Sequence, residues 1–212
     1  MFKIYRELEK GELIAVGVDS SMGLSDFTTA QFVSKTKLDV PIVFHSSETM
    51  TAFTPLLHEA LERVFDITGT QPLVAIERAN GGAFELDRLA ALNRLGKYQI
   101  FRMPPDGLKL GWDTNLATRP KMLLDLKEMV DNRVLKIFDK ATIEELFAFV
   151  KVRTSASIRA QAERGSHDDL VMALAIAVQV LQDLQLQTQS HVVSYEVKES
   201  VRRIAKKMQG FY

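Results

Sequence analysis

The chain has 212 residues, 46% of them apolar, enough for one domain with a sizeable core. It contains no cysteine, which excludes a disulfide framework and thiolate zinc sites, and its four histidines (His45, His58, His167, His191) show no paired metal-ligand spacing, so any metal must be held by oxygen. Formal net charge is zero, so the whole-molecule field neither selects nor excludes a polyanionic partner.

Residues 12–19, about 26–34 and about 40–46 are β-rich and separated by turn-like segments, SSMGLSD and KTKLDVP, which predicts an antiparallel meander. A helix is expected over 54–67, ending at Gly69, then a strand over 72–77, a helix over 82–95 and a strand over 98–103. A strand reached through a crossover helix is most simply parallel to its neighbour, so the expected fold is α/β, a mixed sheet of three antiparallel and two parallel strands flanked by helices. The loop PPDGLKLGWDTNLAT leads to a helix over 118–132, a short strand over 134–138 and a helix over 140–150. Residues 151–164 alternate small, polar and basic side chains like an exposed ribbon, and a strongly apolar helix starts at 168. The domain is expected to occupy 1–185, with 186–194 a polar linker and 195–210 a basic helix in the tail. With no run of about 18 apolar residues and no apolar stretch near the N-terminus, the chain reads as soluble and cytoplasmic.

Three acidic positions stand where elements end or begin. Asp19 closes LIAVGVD, Glu77 closes PLVAIE, and Asp168 with Asp169 opens the last apolar helix. If the first strand and the strand after the crossover are parallel neighbours, Asp19 and Glu77 emerge at the same end, about 5 Å apart. Like charges about 4 Å apart cost roughly 4 kcal/mol at an effective dielectric of about 20, so such a cluster favours divalent cations. Asp139 also ends an apolar run, but the following KATIEEL reads as a helix start, which assigns it to capping. Ser166 and Asp169 have capping-box spacing; adjacent acids on a helix diverge by about 100°, so one of Asp168 and Asp169 is left to face an ion.

In ERANGGAF, Asn80 reads as an N-cap, and Gly81 and Gly82 as positions that let a chain or ligand approach the backbone. Thr118-Arg119-Pro120-Lys121 combines a cap, a first-turn proline and two cations, and cations at a helix N-terminus hint at an anionic partner. Trp112 reads as a pin holding its loop to the core.

With these residues in place, the chain resembles the nuclease domain of the tailed-bacteriophage terminase large subunit, in the RNase H-like superfamily. The resemblance runs from about 12 to about 185 and is carried by VGVDSSMGLSDFTTA, AIERANGG, GWDTNLATRPKMLLDLKEMV and GSHDDLVMALAIA in combination. It implies metal-dependent endonucleolytic cutting of concatemeric double-stranded DNA during genome packaging in the host cell cytoplasm. Asp19, Glu77, Asp168 and Asp169 are then the catalytic metal ligands, holding two Mg²⁺ or Mn²⁺ ions about 3.5–4 Å apart, with Asp19 bridging. Arg119, Lys121, Arg153, Arg159 and Arg164 are the expected DNA-binding residues. The second acid is Glu where many relatives carry Asp. The resemblance further implies a terminase ATPase domain, a small terminase subunit and a portal as partners, and no membrane. No GxxxxGK[ST] phosphate loop is present, so the chain is expected to be the excised C-terminal domain rather than the packaging motor.

Alternative readings are a Holliday-junction-resolvase or transposase-like nuclease using the same acids, and a non-catalytic DNA-binding or docking module of a packaging motor. An actin-like phosphotransferase ranks last, because its glycine-rich phosphate loops are absent.

Overall fold

A computed structural model describes residues 1–20, 27–104, 107–152 and 168–184. Six strands, β1 (Phe2–Ile4), β2 (Ile14–Asp19), β3 (Thr28–Ser34), β4 (Asp39–Ser46), β5 (Leu73–Ile76) and β6 (Gln99–Ile100), form one sheet in the order β1-β4-β3-β2-β5-β6. The helices are α1 (Met50–Thr68), α2 (Gly82–Leu92), α3 (Thr118–Asp131), α4 (Lys140–Val152) and α5 over 169–184. By its contacts the chain divides into Met1–Leu181 and Gln182–Tyr212, and nearly all of the second unit lies outside the described residues. Of the ribbon expected over 151–164, residues 151–152 instead end α4, and the rest lies outside the described residues, as do the linker and the basic tail.

β2, β3 and β4 form the antiparallel meander, and β5 and β6 add in parallel beyond β2. The mixed sheet expected from the sequence is therefore present, with β1 as an additional antiparallel strand on the β4 edge. That strand also explains why 134–138 is not a strand. β1 takes the β4 edge from Ile42 to Phe44, leaving only its start, where Lys136 makes a single parallel bridge to Asp39.

Two faces of β2 set the layers. Ile14, Val16 and Val18 pack with Phe53, Leu57 and Leu61 of α1 and Leu86 and Leu89 of α2. The intervening residues face α5, as the period of two along a strand requires. Gly17 makes this possible: a Cβ there would lie 2.2 Å from the Ala173 carbonyl oxygen and 2.3 Å from the Ala177 nitrogen. α5 thus lies backbone-to-backbone on the central strand, buried on all sides from Leu170 to Val180. α3 joins it through Lys121 and Asp125, both bonded to Gln179, and α4 joins it through Glu145.

The loop before α3 is more ordered than its composition suggests. Leu110 bridges Arg102 and Trp112 bridges Glu77, so this run continues the sheet beside the end of β5. Trp112 is buried against Phe101 with ring centroids 5.9 Å apart, the expected pin. Gly111, at φ +83°, lies over the Ile76 carbonyl, where a Cβ would come within 2.6 Å.

Candidate metal and nucleic-acid site

Val18 pairs with Ile76 in the parallel ladder, and the Glu77 N–H donates to the Val18 carbonyl at 2.9 Å, so the next side chains along are Asp19 and Glu77. Each is only 8% exposed, as is Asp169. Asp19 shares the parity of Gly17 and therefore faces α5, whose first turn brings Asp168 and Asp169. Asp19 is thus close enough to Glu77, Asp169 and Asp168 for all three to act on its carboxyl.

Electrostatics follow from that placement. Burial pushes the Asp19 carboxyl well above the usual carboxylate range, and its hydrogen bond to Glu77 and the charges of Glu77, Asp169 and Asp168 push the same way. A hydrogen bond between two carboxyl groups needs a proton on one of them. Among the described residues neither Asp19 nor Glu77 has a cationic partner.

The backbone around Glu77 is fixed by close approach. Asn80 and Gly81 are both left-handed, at φ 50° and 85°, and a Cβ on Gly82 would stand 1.8 Å from the Glu77 carbonyl oxygen. Ser20 Oγ donates to the Ala79 carbonyl at 2.9 Å, tying this turn to the end of β2. Two expectations change here. The N-cap of α2 is Gly81 rather than Asn80, and the chain approaching Gly82 is its own Glu77 carbonyl.

At α5, Asp168 Oδ2 accepts from Arg119 at 2.8 Å, and Asp169 Oδ2 accepts from the Phe27 N–H at 3.1 Å. The expected Ser166 cap lies outside the described residues. The cap within them is Glu145 of α4, whose Oε2 accepts from Leu170 N and Val171 N at 3.0 and 3.3 Å. Burial raises the Glu145 carboxyl to about 7 despite those two bonds, and the charges of Asp169 and Asp168 add to the rise. Sequence reasoning missed Glu145, because in KATIEEL it looks like half of an exposed acidic pair.

Of the expected DNA-binding residues, Arg119 stands next to the acids and its side chain is 34% exposed. Lys121 instead bonds Asp125 at 2.6 Å and Gln179 at 3.1 Å. Both first-turn cations of α3 therefore have acidic partners within the chain. The N-cap of the helix is Ala117 rather than Thr118, and just before it Asn115 Oδ1 accepts from Ala117 N and Thr118 N. Arg153, Arg159 and Arg164 lie outside the described residues.

The donor set fits a hard divalent cation in type and charge: oxygen only, strongly acidic, and with Asp19 destabilised as an anion by its neighbours. Among the described residues, however, no three acidic, histidine or cysteine side chains are arranged as ligands about one point. The fit is thus one of donor chemistry.

In three dimensions the chain resembles the large terminase nuclease from thermophilic phage G20c with bound magnesium, at 14% identity and TM-score 0.60 over 84% of this chain and 86% of that one. It also resembles the Thermus phage P74-26 large terminase nuclease domain, at 17% identity and TM-score 0.56 over 82% and 81%. The manganese-soaked human cytomegalovirus terminase nuclease domain matches at 14% identity and TM-score 0.54 over 82% and 85%. The chain has a terminase nuclease-like fold of the RNase H-like kind. No protein-family model matches the chain, and no curated protein sequence does.

Proposed function

We propose that the chain is a divalent-metal-dependent endonuclease that cuts double-stranded DNA during viral genome packaging. The observation that carries this reading is the meeting of Asp19 and Glu77 at the ends of adjacent parallel strands, beneath a helix opening with Asp168 and Asp169. The fold supports it, since the G20c nuclease has been solved with bound magnesium, zinc and cobalt and the cytomegalovirus domain soaked with manganese.

Asp19, Glu77 and Asp169, with Asp168 beside them, would hold Mg²⁺ or Mn²⁺. Bound there, the ions supply an activated water and neutralise charge on the leaving oxygen. Asp19, whose carboxyl is pushed up by burial and the neighbouring acids, would bind the ions as the carboxylate, with its proton released to solvent. The burial of Asp19 and Glu77 keeps bulk water from screening the charges that hold the ions. Arg119, partly exposed beside Asp168, would meet a backbone phosphate, giving sequence-independent, salt-sensitive binding; Lys121, Arg153, Arg159 and Arg164 belong to the same proposal. A packaging ATPase domain, a small terminase subunit and a portal are the proposed partners, and the host cytoplasm the proposed place of action. No helix among the described residues is long and apolar enough to cross a membrane.

The test is supercoiled plasmid incubated with wild type and Asp19→Ala, each with Mg²⁺, Mn²⁺ or EDTA. Wild type should cut only with the ion, and Asp19→Ala should lose at least about a thousandfold in rate while remaining folded. Metal-independent cutting, or full activity in Asp19→Ala, would falsify the assignment. DNA binding by a folded wild type that never cuts would favour the docking-module alternative.

A further inference from the structure

This inference rests on Asp168 and Asp169 belonging to the metal-binding acids. The first backbone bond of α5 runs from Met172 N to the Asp168 carbonyl at 2.8 Å, which places Asp168 at the N-cap. An aspartate there ordinarily turns its carboxylate onto the N–H groups two and three residues ahead. Asp168 instead bonds Arg119, and those two groups, on Leu170 and Val171, donate to Glu145.

We propose that Glu145 is a positioning residue of the site. By capping α5 from a neighbouring helix, it releases Asp168 from capping and leaves both adjacent acids at the metal site. α4 can hold it in place because α4 is itself anchored. Asp139 caps it through Thr142 N and Oγ1, both at 2.9 Å, and Gln31 of β3 donates to Thr142 Oγ1 at 2.9 Å and to the Leu170 carbonyl at 3.3 Å. From the sheet, Thr29 Oγ1 donates to the Asp169 carbonyl at 2.8 Å. The first turn of α5 is thus held by the sheet below and by Glu145 at its open end. Without Glu145, Asp168 at the N-cap turns its carboxylate onto these two N–H groups of its own helix, leaves Arg119 and withdraws from the ions.

Two measurements decide this. Melting temperatures in EDTA for wild type, Glu145→Ala, Asp168→Ala and the double variant test the exchange of caps. Asp168→Ala should cost under about 1 °C in the wild-type background, where the side chain caps nothing. In the Glu145→Ala background it should cost about 2–4 °C. Additive losses overturn the exchange. The second measurement is Mn²⁺ binding by electron paramagnetic resonance. Glu145→Ala should weaken it about tenfold, and Glu145→Gln, whose amide oxygen accepts the same N–H groups, should bind within about twofold of wild type. Unchanged binding in Glu145→Ala, or equal loss in Glu145→Gln, overturns the positioning role. Asp19→Ala, run alongside, separates the two levels: if it binds Mn²⁺ like wild type, the metal-site reading fails, and the cap exchange is still decided by the melting temperatures.

Discussion

The two ends of the central sheet solve the problem of buried acids in opposite ways. At the start of β2 and β4, Glu12 and Asp39 are 1% and 5% exposed, and Arg6 reaches both. Its Nε and Nη2 meet the two oxygens of Asp39 at 2.7 and 2.6 Å, and Nη1 meets Glu12 at 3.2 Å. Burial alone would raise the Glu12 carboxyl; the hydrogen bonds from Arg6, Ser34 and the Glu9 backbone bring it below its ordinary value. At the other end Asp19 is as closely packed, but its neighbours are further acids, and its carboxyl is pushed up. One end neutralises its carboxylates with Arg6; at the other, no cation among the described residues pairs with Asp19 or Glu77. The difference teaches that burial of acids is by itself no mark of function; the missing counter-charge is.

Arg6→Ala breaks the comparison at its structural end. Two almost fully buried carboxylates then lose their cation, and removing one partner from such a group costs about 3–5 kcal/mol. Urea unfolding should show a loss of that size, with the metal dependence of any cleavage retained in the folded fraction. A loss below about 1 kcal/mol would mean that the triad is solvated enough to behave as a surface pair.

Gly17→Ala sharpens the other side, since it acts on the support of the acids without touching one. The new methyl meets backbone atoms of α5 rather than a flexible side chain, so relief requires the helix to lift. Overpacking of this kind costs about 1–3 kcal/mol, and contact with backbone places it at the upper end. Because α5 carries Asp168 and Asp169, Mn²⁺ binding should weaken as well. Normal stability together with normal binding would show that the close approach of β2 and α5 is not needed to assemble the site.

What was legible in the sequence follows from locality. Asp19 and Glu77 could be placed together because strand ends, turn composition and a crossover helix are local signals, and parallel pairing follows from them. Asp139 was legible as a cap for the same reason, and it does cap α4. β1 escaped because three residues, FKI, give too little alternation to mark a strand, and its existence depends on the distant β4 edge. VLKIF looks like a strand by composition, yet that edge is already occupied. Asn115 and Glu145 escaped because the more obvious caps, Thr118 and Ser166, stand beside the same helices in sequence. Arg119 showed its charge but not its partner, since an ion pair 49 residues apart, with Asp168, leaves no periodic trace, whereas Lys121 pairs with Asp125 four residues on, a spacing the sequence does carry.

The smallest effect expected has a sign that only the acid end should show. Below about pH 4 Asp19 is protonated in both the folded and the unfolded chain and contributes nothing to pH dependence. As pH rises, the unfolded chain releases its proton first while the folded one holds it, because burial, Glu77, Asp169 and Asp168 raise the folded pKa. Stability is therefore lost as pH climbs from the unfolded pKa towards the raised folded one, and Asp19→Asn removes that loss. In EDTA at neutral pH, Asp19→Asn should melt about 2–4 °C above wild type, a gain on the order of 1 kcal/mol, and the gap should close towards pH 4. With Mg²⁺ or Mn²⁺ in excess the order should reverse, because only wild type gains from the ion. An Asp19→Asn protein that melts lower than wild type in EDTA would mean that the aspartate is held by favourable contacts, and that the repulsion favouring a metal at this end of the sheet is absent.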